Sequence, residues 1–445
     1  MKSGPLFRLS CIVAVFFLAT SVFGQTVGAL GNGVSSRSMS LAGTTVAAID
    51  SPLEAMQSNP AGLTELNGRT LDLNFTSMFT TGNFTNSVSN SGSIAGFAGA
   101  MPYGAFGMPL GHSGRWKLGV SVAPDTMMNA DWTYMDPPGG LNNTTYGLQR
   151  NRSAILGLRT AGGLGFVVNK KLSIGGSFGA IYNRNTLQAP FIFQEQPTLA
   201  GAKVLLDLHT AGTGWNGSFG ALYTPTDKLK VGVSYKTKTT VHSHGDASGN
   251  AQAQFDALGA STFQPDFHYD AEVVTKFPQA LSGGISWQAH KRMRVNLQGD
   301  WINWSNAFDR LPVFLTKGNN ADLNGFVGSD AMNDVIPVQW KNQGVFGVGV
   351  ESPVGENLSF RGGYSYATNP VPSATLTPMT AAILRNTLGT GLGYNLGRYH
   401  FDLAYQVQLP ASQTVGTSSL LSGEYNNSRV QVAVHSLTLG SKIRF

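Results

Sequence analysis

One cysteine, Cys11, occurs in 445 residues, and it falls within an apolar leader. Met1–Gly24 carries Lys2 and Arg8, then the apolar stretch Leu9–Phe23, then small Gly24 before Gln25, which is the pattern of a secretory signal peptide. Its removal takes Cys11 with it. That excludes disulfides, thiol catalysis and cysteine-held metal from the remaining chain. Charge is also scarce: Asp, Glu, Lys and Arg make up 12% of the residues, against about 25% in an ordinary soluble domain. After Gly24 no apolar run approaches the ~20 residues that a spanning helix needs. Without Lys2 and Arg8 the basic residues number 28 against 24 acidic, and they are scattered. Scattered cations form no nucleic-acid surface.

Glycine is plentiful, at 55 residues. Few charges, no apolar helix and much glycine fit a membrane β-barrel better than a soluble enzyme or a helical membrane protein. The alternation agrees. In Thr70–Thr80, Leu71, Leu73, Phe75 and Phe79 share one face, with Asp72, Asn74 and Thr76 on the other. Leu229–Val241 and Tyr399–Val407 repeat the pattern. Such period-2 strands have a lipid-facing and a polar side. The chain ends on another, Ser436–Phe445, flush on an aromatic residue, as a barrel's closing strand does.

Strands are expected near 70–80, 94–105, 116–124, 153–168, 172–184, 212–224, 229–241, 277–289, 293–304, 343–351, 358–367, 386–396, 399–408 and 429–445. Short turns such as Asn169–Lys171 and Leu396–Arg398 alternate with long polar segments near 185–211, 242–276, 305–342, 368–385 and 409–428. That asymmetry places the long loops outside the cell. The expected fold is all-β: a transmembrane antiparallel barrel of about 14 strands over residues 70–445. Residues 25–69 lack spanning alternation and are too few to fold alone. They are expected as an N-terminal hatch that plugs the lumen.

Several segments resemble the FadL/TodX outer-membrane transport proteins. They are Gly31–Gly43 (GNGVSSRSMSLAG), Ala47–Asp50, Asn59-Pro-Ala-Gly-Leu63, Leu229–Lys238, Phe277–Ser282, Asp300–Ser305, Phe360–Tyr366 and Asn369–Pro372. The resemblance covers most of residues 28–445. It implies a plugged 14-stranded barrel for passive uptake of long-chain fatty acids or similar hydrophobic molecules, hatch gating, and release sideways into the membrane through a kinked third strand. That strand corresponds to Trp116–Pro124, and Pro124 cannot donate a ladder hydrogen bond; alternatively it simply ends the strand. Asn59, Pro60 and Ala61 become the gating motif of the hatch, the alternative being an ordinary turn. The chain departs from the family pattern at Met56-Gln-Ser58, where aromatic residues are common, and at Ala374–Asn386, which has no acidic residue.

By parity Arg159, Lys236, Lys238, Arg294 and Arg361 face the lumen. Each is a candidate for holding a ligand carboxylate, or for pairing with lumen acids such as Asp72, Asp300, Glu351 and Asp402. Gly175-Gly-Ser-Phe-Gly179 matches the Gly-x-Ser-x-Gly pattern but lies in a strand, not at a strand-to-helix elbow. His242 and His244 read as a solvated pair, and Trp301 and Trp304 as interfacial girdle residues. No enzyme activity, metal or cofactor is expected. The expected partners are a hydrophobic ligand, outer-membrane lipid with lipopolysaccharide, and the barrel-assembly machinery acting on the strand that ends at Phe445. A monomer in the bacterial outer membrane is expected. Rival readings are a porin or adhesin without hydrophobic cargo, and an outer-membrane lipid hydrolase.

Overall fold

The computed structural model describes residues 33–94, 97–111 and 113–445; the expected signal peptide, residues 1–24, lies outside them. Among the described residues, nineteen strand segments build fourteen antiparallel staves and one extra hairpin. In chain order they are β1 (Thr70–Thr85), β2 (Gly92–Ile94) with β3 (Phe97–Leu110), β4 (Trp116–Met135), β5 (Leu148–Val167), β6 (Leu172–Ile192) and β7 (Lys203–Thr226). The next two staves are each broken in two: β8 (Leu229–Lys236) with β9 (Thr239–Asn250), and β10 (Asp266–Phe277) with β11 (Ala280–His290). Then come β12 (Met293–Ile302), the outer hairpin β13 (Arg310–Thr316) and β14 (Met332–Pro337), β15 (Gln343–Val354), β16 (Leu358–Ala367), β17 (Asn386–Leu396), β18 (Tyr399–Thr414) and β19 (Arg429–Arg444). The ring closes where β19 pairs with β1, from Arg444 opposite Thr70 to Arg429 opposite Thr85. Closure removes the unpaired edge that lipid does not tolerate.

The lower halves of the staves follow the alternation in the sequence. On β1, Phe75 and Phe79 are exposed while Asp72, Asn74 and Thr76 are buried in the lumen. On the outer surface Phe178 stacks on Trp215 with ring centroids 5.5 Å apart.

The upper halves invert the pattern, which explains why the long segments read as loops. Leu206, Leu208, Val273, Val313 and Leu315 are buried, while Asp207, His209, His244 and Glu272 sit at the alternate positions. Above the bilayer the outer face meets water and the inner face meets apolar loops. Staves therefore continue through 203–211, 239–250 and 266–276, and β13–β14 occupy part of 305–342. His242 lies on β9, with Nδ1 2.6 Å from Glu272 Oε1 across the strand pair. Trp301 is exposed, but Trp304 is not a girdle residue: β12 ends at Ile302, and the short helix Trp304–Ala307 turns its ring into the interior.

The N-terminal segment begins with α1 (Ser36–Ser40) and α2 (Pro52–Gln57), followed by a tight 3₁₀ turn, Pro60–Glu65. Helices this short are unstable alone. Each is capped: Ser35 and Ser38 form a capping box, Ser51 accepts from Glu54 N–H, and Asn59 accepts from Ala61 N–H. The segment touches β3 to β7 on one side and β16 to β19 on the other. Contacts on opposite walls are made only from within the barrel. Wall glycines permit the fit: a Cβ on Gly175 would meet Ala61 N at 2.4 Å, and one on Gly232 would meet Val46 O at 2.3 Å.

Ion pairs fix the same segment. Arg37, fully buried, pairs with Glu54 at 2.9 Å and with Glu351 of β15 at 2.8 Å. Asp50 receives Lys442 of β19 at 2.6 Å.

Candidate functional site

Two cavities lie in series above the N-terminal segment. The outer one, about 140 Å³, is walled by Met128, Phe191, Leu311, Trp340 and Met379. It shares Phe191, Leu208 and Val313 with a smaller apolar cavity of about 30 Å³ among the outer strands. Trp340 holds one wall by packing with Trp304 and Phe308, centroids 5.2 and 5.0 Å away. The segment after β16 is not a solvated loop. Leu376 and Ala381–Leu384 are buried in the same apolar cluster, and Thr375, Thr377 and Thr380 line the outer cavity.

A buried latch joins three outer segments beside this cavity, which Glu424 lines. Lys203, at the start of β7, contacts Asp136 at 2.7 Å and Glu424 at 2.9 Å, and donates to the Pro137 carbonyl at 2.8 Å. Burial pushes the Asp136 and Glu424 carboxyls above their ordinary range, against the pull of Lys203. Asp334 of β14 accepts the backbone N–H groups of Gln194 at 2.9 Å and Glu195 at 2.6 Å, which ties the outer hairpin to the loop after β6.

The inner chamber, about 240 Å³, lies between the N-terminal segment (Met39, Thr44, Gln57) and the buried residue Leu384. Its described lining mixes Ser, Thr and Gln with apolar residues such as Met39, Met127, Ile302 and Leu384, and its charged members are Asp125, Lys236 and Asp300. Lys236 is taken up by Asp125, which it contacts directly.

β4 is irregular beside this chamber. Its ladder with β3 runs from Trp116 opposite Leu110 to Val122 opposite Gly104. Pairing on that edge resumes, among the described residues, only at Trp132 and Thr133 with β2. On the other edge Pro124 and Thr126 pair with Leu158 and Gly157, so Asp125 is a bulge. A bulge shifts the alternation: Ser121 and Ala123 are buried below it, and above it Thr126, Met128, Ala130 and Trp132 are buried together with Asn129 and Asp131 of the other parity. Pro124 therefore does not end the strand. It sits beside a bulge, and among the described residues the β3-facing edge of β4 is unladdered from Ala123 to Asn129.

The other expected site residues fall as follows. Asn59, Pro60 and Ala61 are all buried where the 3₁₀ turn starts. Arg159 donates to Asn216 at 2.7 Å, Ser177 at 3.0 Å and the Met56 carbonyl at 3.3 Å. Lys238 is exposed at the break between β8 and β9, away from the chamber, because that break interrupts the parity. Arg294 is 3.8 Å from Glu351. Arg361 bridges Glu351 at 2.6 Å and Asp402. Of the five candidate cations only Lys236 lines either cavity. Sequence reading missed Arg37, although it lies within the Gly31–Gly43 motif, and Asp125, whose signal was the interrupted alternation after Ala123.

A family model described as outer membrane protein transport protein (OMPP1/FadL/TodX) matches residues 17–445. The chain belongs to this family. Its fold is similar to a FadL homologue of Pseudomonas aeruginosa, with TM-score 0.74 and 16% identity over 96% of this chain and 100% of that one. It is similar to the toluene transporter TbuX of Ralstonia pickettii, at 0.70 and 21% over 93% and 99%. It is also similar to the toluene transporter TodX of P. putida, at 0.73 and 17% over 93% and 99%. No curated protein matches the chain. FadL/TodX proteins are outer-membrane transport channels for hydrophobic compounds, not enzymes. The chain is accordingly an outer-membrane barrel of that transport class, and the hydrolase reading is set aside.

Proposed function

We propose that the protein takes up a hydrophobic small molecule, a long-chain fatty acid or a compound of similar apolar surface, and releases it sideways into the outer membrane. The molecule enters the outer cavity, where burial of each CH₂ group contributes roughly 0.8 kcal/mol. Residues 33–69 act as the hatch, with Asn59-Pro60-Ala61 as its rigid corner, and block passage straight down. The carrying observation is the edge of β4 that is unladdered, among the described residues, from Ala123 to Asn129, because Met128 lines the outer cavity and Pro124 to Met127 line the chamber. Similar structures named as toluene transporters favour a small apolar cargo. Contact with lipopolysaccharide, assembly through the strand ending at Phe445 and a monomeric state belong to the same proposal.

The test removes the bulge. A variant with Asp125 deleted, Pro124→Thr and Lys236→Gln restores a regular strand and leaves no unpaired ammonium. Uptake of a labelled hydrophobic probe by cells that depend on the protein should fall to background, with heat-modifiable mobility retained. Undiminished uptake by a folded variant contradicts lateral release.

A further inference from the structure

The charges along the two cavities restrict the cargo further, provided that it passes through them as proposed above. A fatty-acid carboxylate needs a cation not already neutralised by the protein. Among the described residues Lys236 is the single cation lining either cavity, and Asp125 occupies it. The described lining of the outer cavity contributes one carboxylic acid, Glu424, and no Lys, Arg or His. Asp300 projects into the chamber from β12, accepting from Gln298 Nε2 at 2.9 Å. Among the described residues it has no cation within ion-pair distance. Three carboxylates thus face the path against one ammonium. The remaining polar lining is neutral and includes the side chains of Ser218, Ser282 and Gln408.

We infer that Asp300 and Glu424 form a charge filter, so that the cargo is an uncharged hydrophobic molecule and anionic amphiphiles are rejected. Asp300 is the stronger element, because Lys203 partly offsets Glu424 from behind. Within a chamber this small, repulsion between Asp300 and a bound carboxylate weakens binding by about tenfold or more. Gln298 adds a structural link: its Oε1 accepts the Val46 N–H at 2.9 Å while its Nε2 donates to Asp300. The filter is therefore held in register with the N-terminal segment.

The test uses the purified full chain and three probes with one C10 tail: decanol, methyl decanoate and decanoate, at pH 8, with affinities corrected for partition into the detergent. Decanol and the methyl ester should bind at least about tenfold more tightly than decanoate. Asp300→Asn should shrink the decanol-to-decanoate ratio at least about threefold. Decanoate binding as tightly as decanol to the wild-type protein overturns the filter while leaving hydrophobic transport standing. So does an unchanged ratio in a folded Asn variant. If no probe binds at all, the transport reading fails and the filter with it. The wild-type ratio decides the matter even if the variant does not fold.

Discussion

Asn59 holds Val46: its Nδ2 donates to the Val46 carbonyl at 2.9 Å and, at 3.2 Å, to the Ala221 carbonyl on β7. Val46 N–H in turn donates to Gln298 on β12. One buried amide thus joins the N-terminal segment to β7, and the adjoining Val46 N–H joins it to β12.

Replacing Asn59 by Ala leaves the buried Val46 carbonyl without its donor and removes the link to Ala221, at a cost of about 1–3 kcal/mol. Backbone hydrogen exchange over residues 41–66 should then accelerate by about 5- to 150-fold, while the barrel keeps its heat-modifiable mobility. Asn59→Asp should behave similarly, because it keeps the acceptor for Ala61 and loses the donor. Unchanged exchange in both variants contradicts the anchoring role.

Gly232→Ala drives a methyl group against the Val46 carbonyl, 2.3 Å away, where backbone must shift. Salt conductance in planar bilayers should rise as the segment is displaced. Gly283→Ala, with nothing within 4 Å of the added carbon, is the control and should conduct like the wild type.

Arg37 neutralises two buried or half-buried carboxylates, Glu54 and Glu351. Arg37→Met leaves Glu54 without its cation and Glu351 held only by Arg361 and Arg294, and should destabilise the docked segment by about 3–5 kcal/mol. The readout is protease cleavage within residues 33–69 of the purified barrel. Cleavage no faster than in the wild type argues that the pairs are dispensable.

The outer latch should respond to pH. Asp136 and Glu424 are pushed up by burial, and opening the loops returns them to ordinary values. Between the ordinary and the raised values the closed state holds protons that opening releases, so opening becomes easier as pH rises through that window. Hydrogen exchange in residues 416–428, corrected for its intrinsic pH dependence, should show weaker protection at pH 8 than at pH 5. Glu424→Gln should flatten the difference.

The membrane-embedded half of the barrel was legible because lipid and lumen impose opposite polarity on alternate residues. Phe75 against Asn74, and Leu439 against Thr438, carry that signal directly. Above the bilayer Leu206 and Leu208 face inward and Asp207 and His209 stand at the alternate positions, so the same alternation with reversed sense passed for loop. The closed ring of fourteen staves was readable. The pairing of Lys236 with Asp125 was not: the partners are 111 residues apart, and the bulge beside Pro124 decides which way Asp125 points. Trp304 was misread for a related reason, since the helix that follows β12 reverses its side.

The most direct test of sideways release maps where the cargo travels. A photoactivatable hydrophobic probe, loaded onto the full chain in lipid nanodiscs and activated, should leave its adducts on β4 between Ala123 and Asp131 and on adjoining lipid. Adducts concentrated instead on Thr64, Glu65 and Lys230, at the far end of the N-terminal segment, would mean passage straight through the lumen and contradict the account.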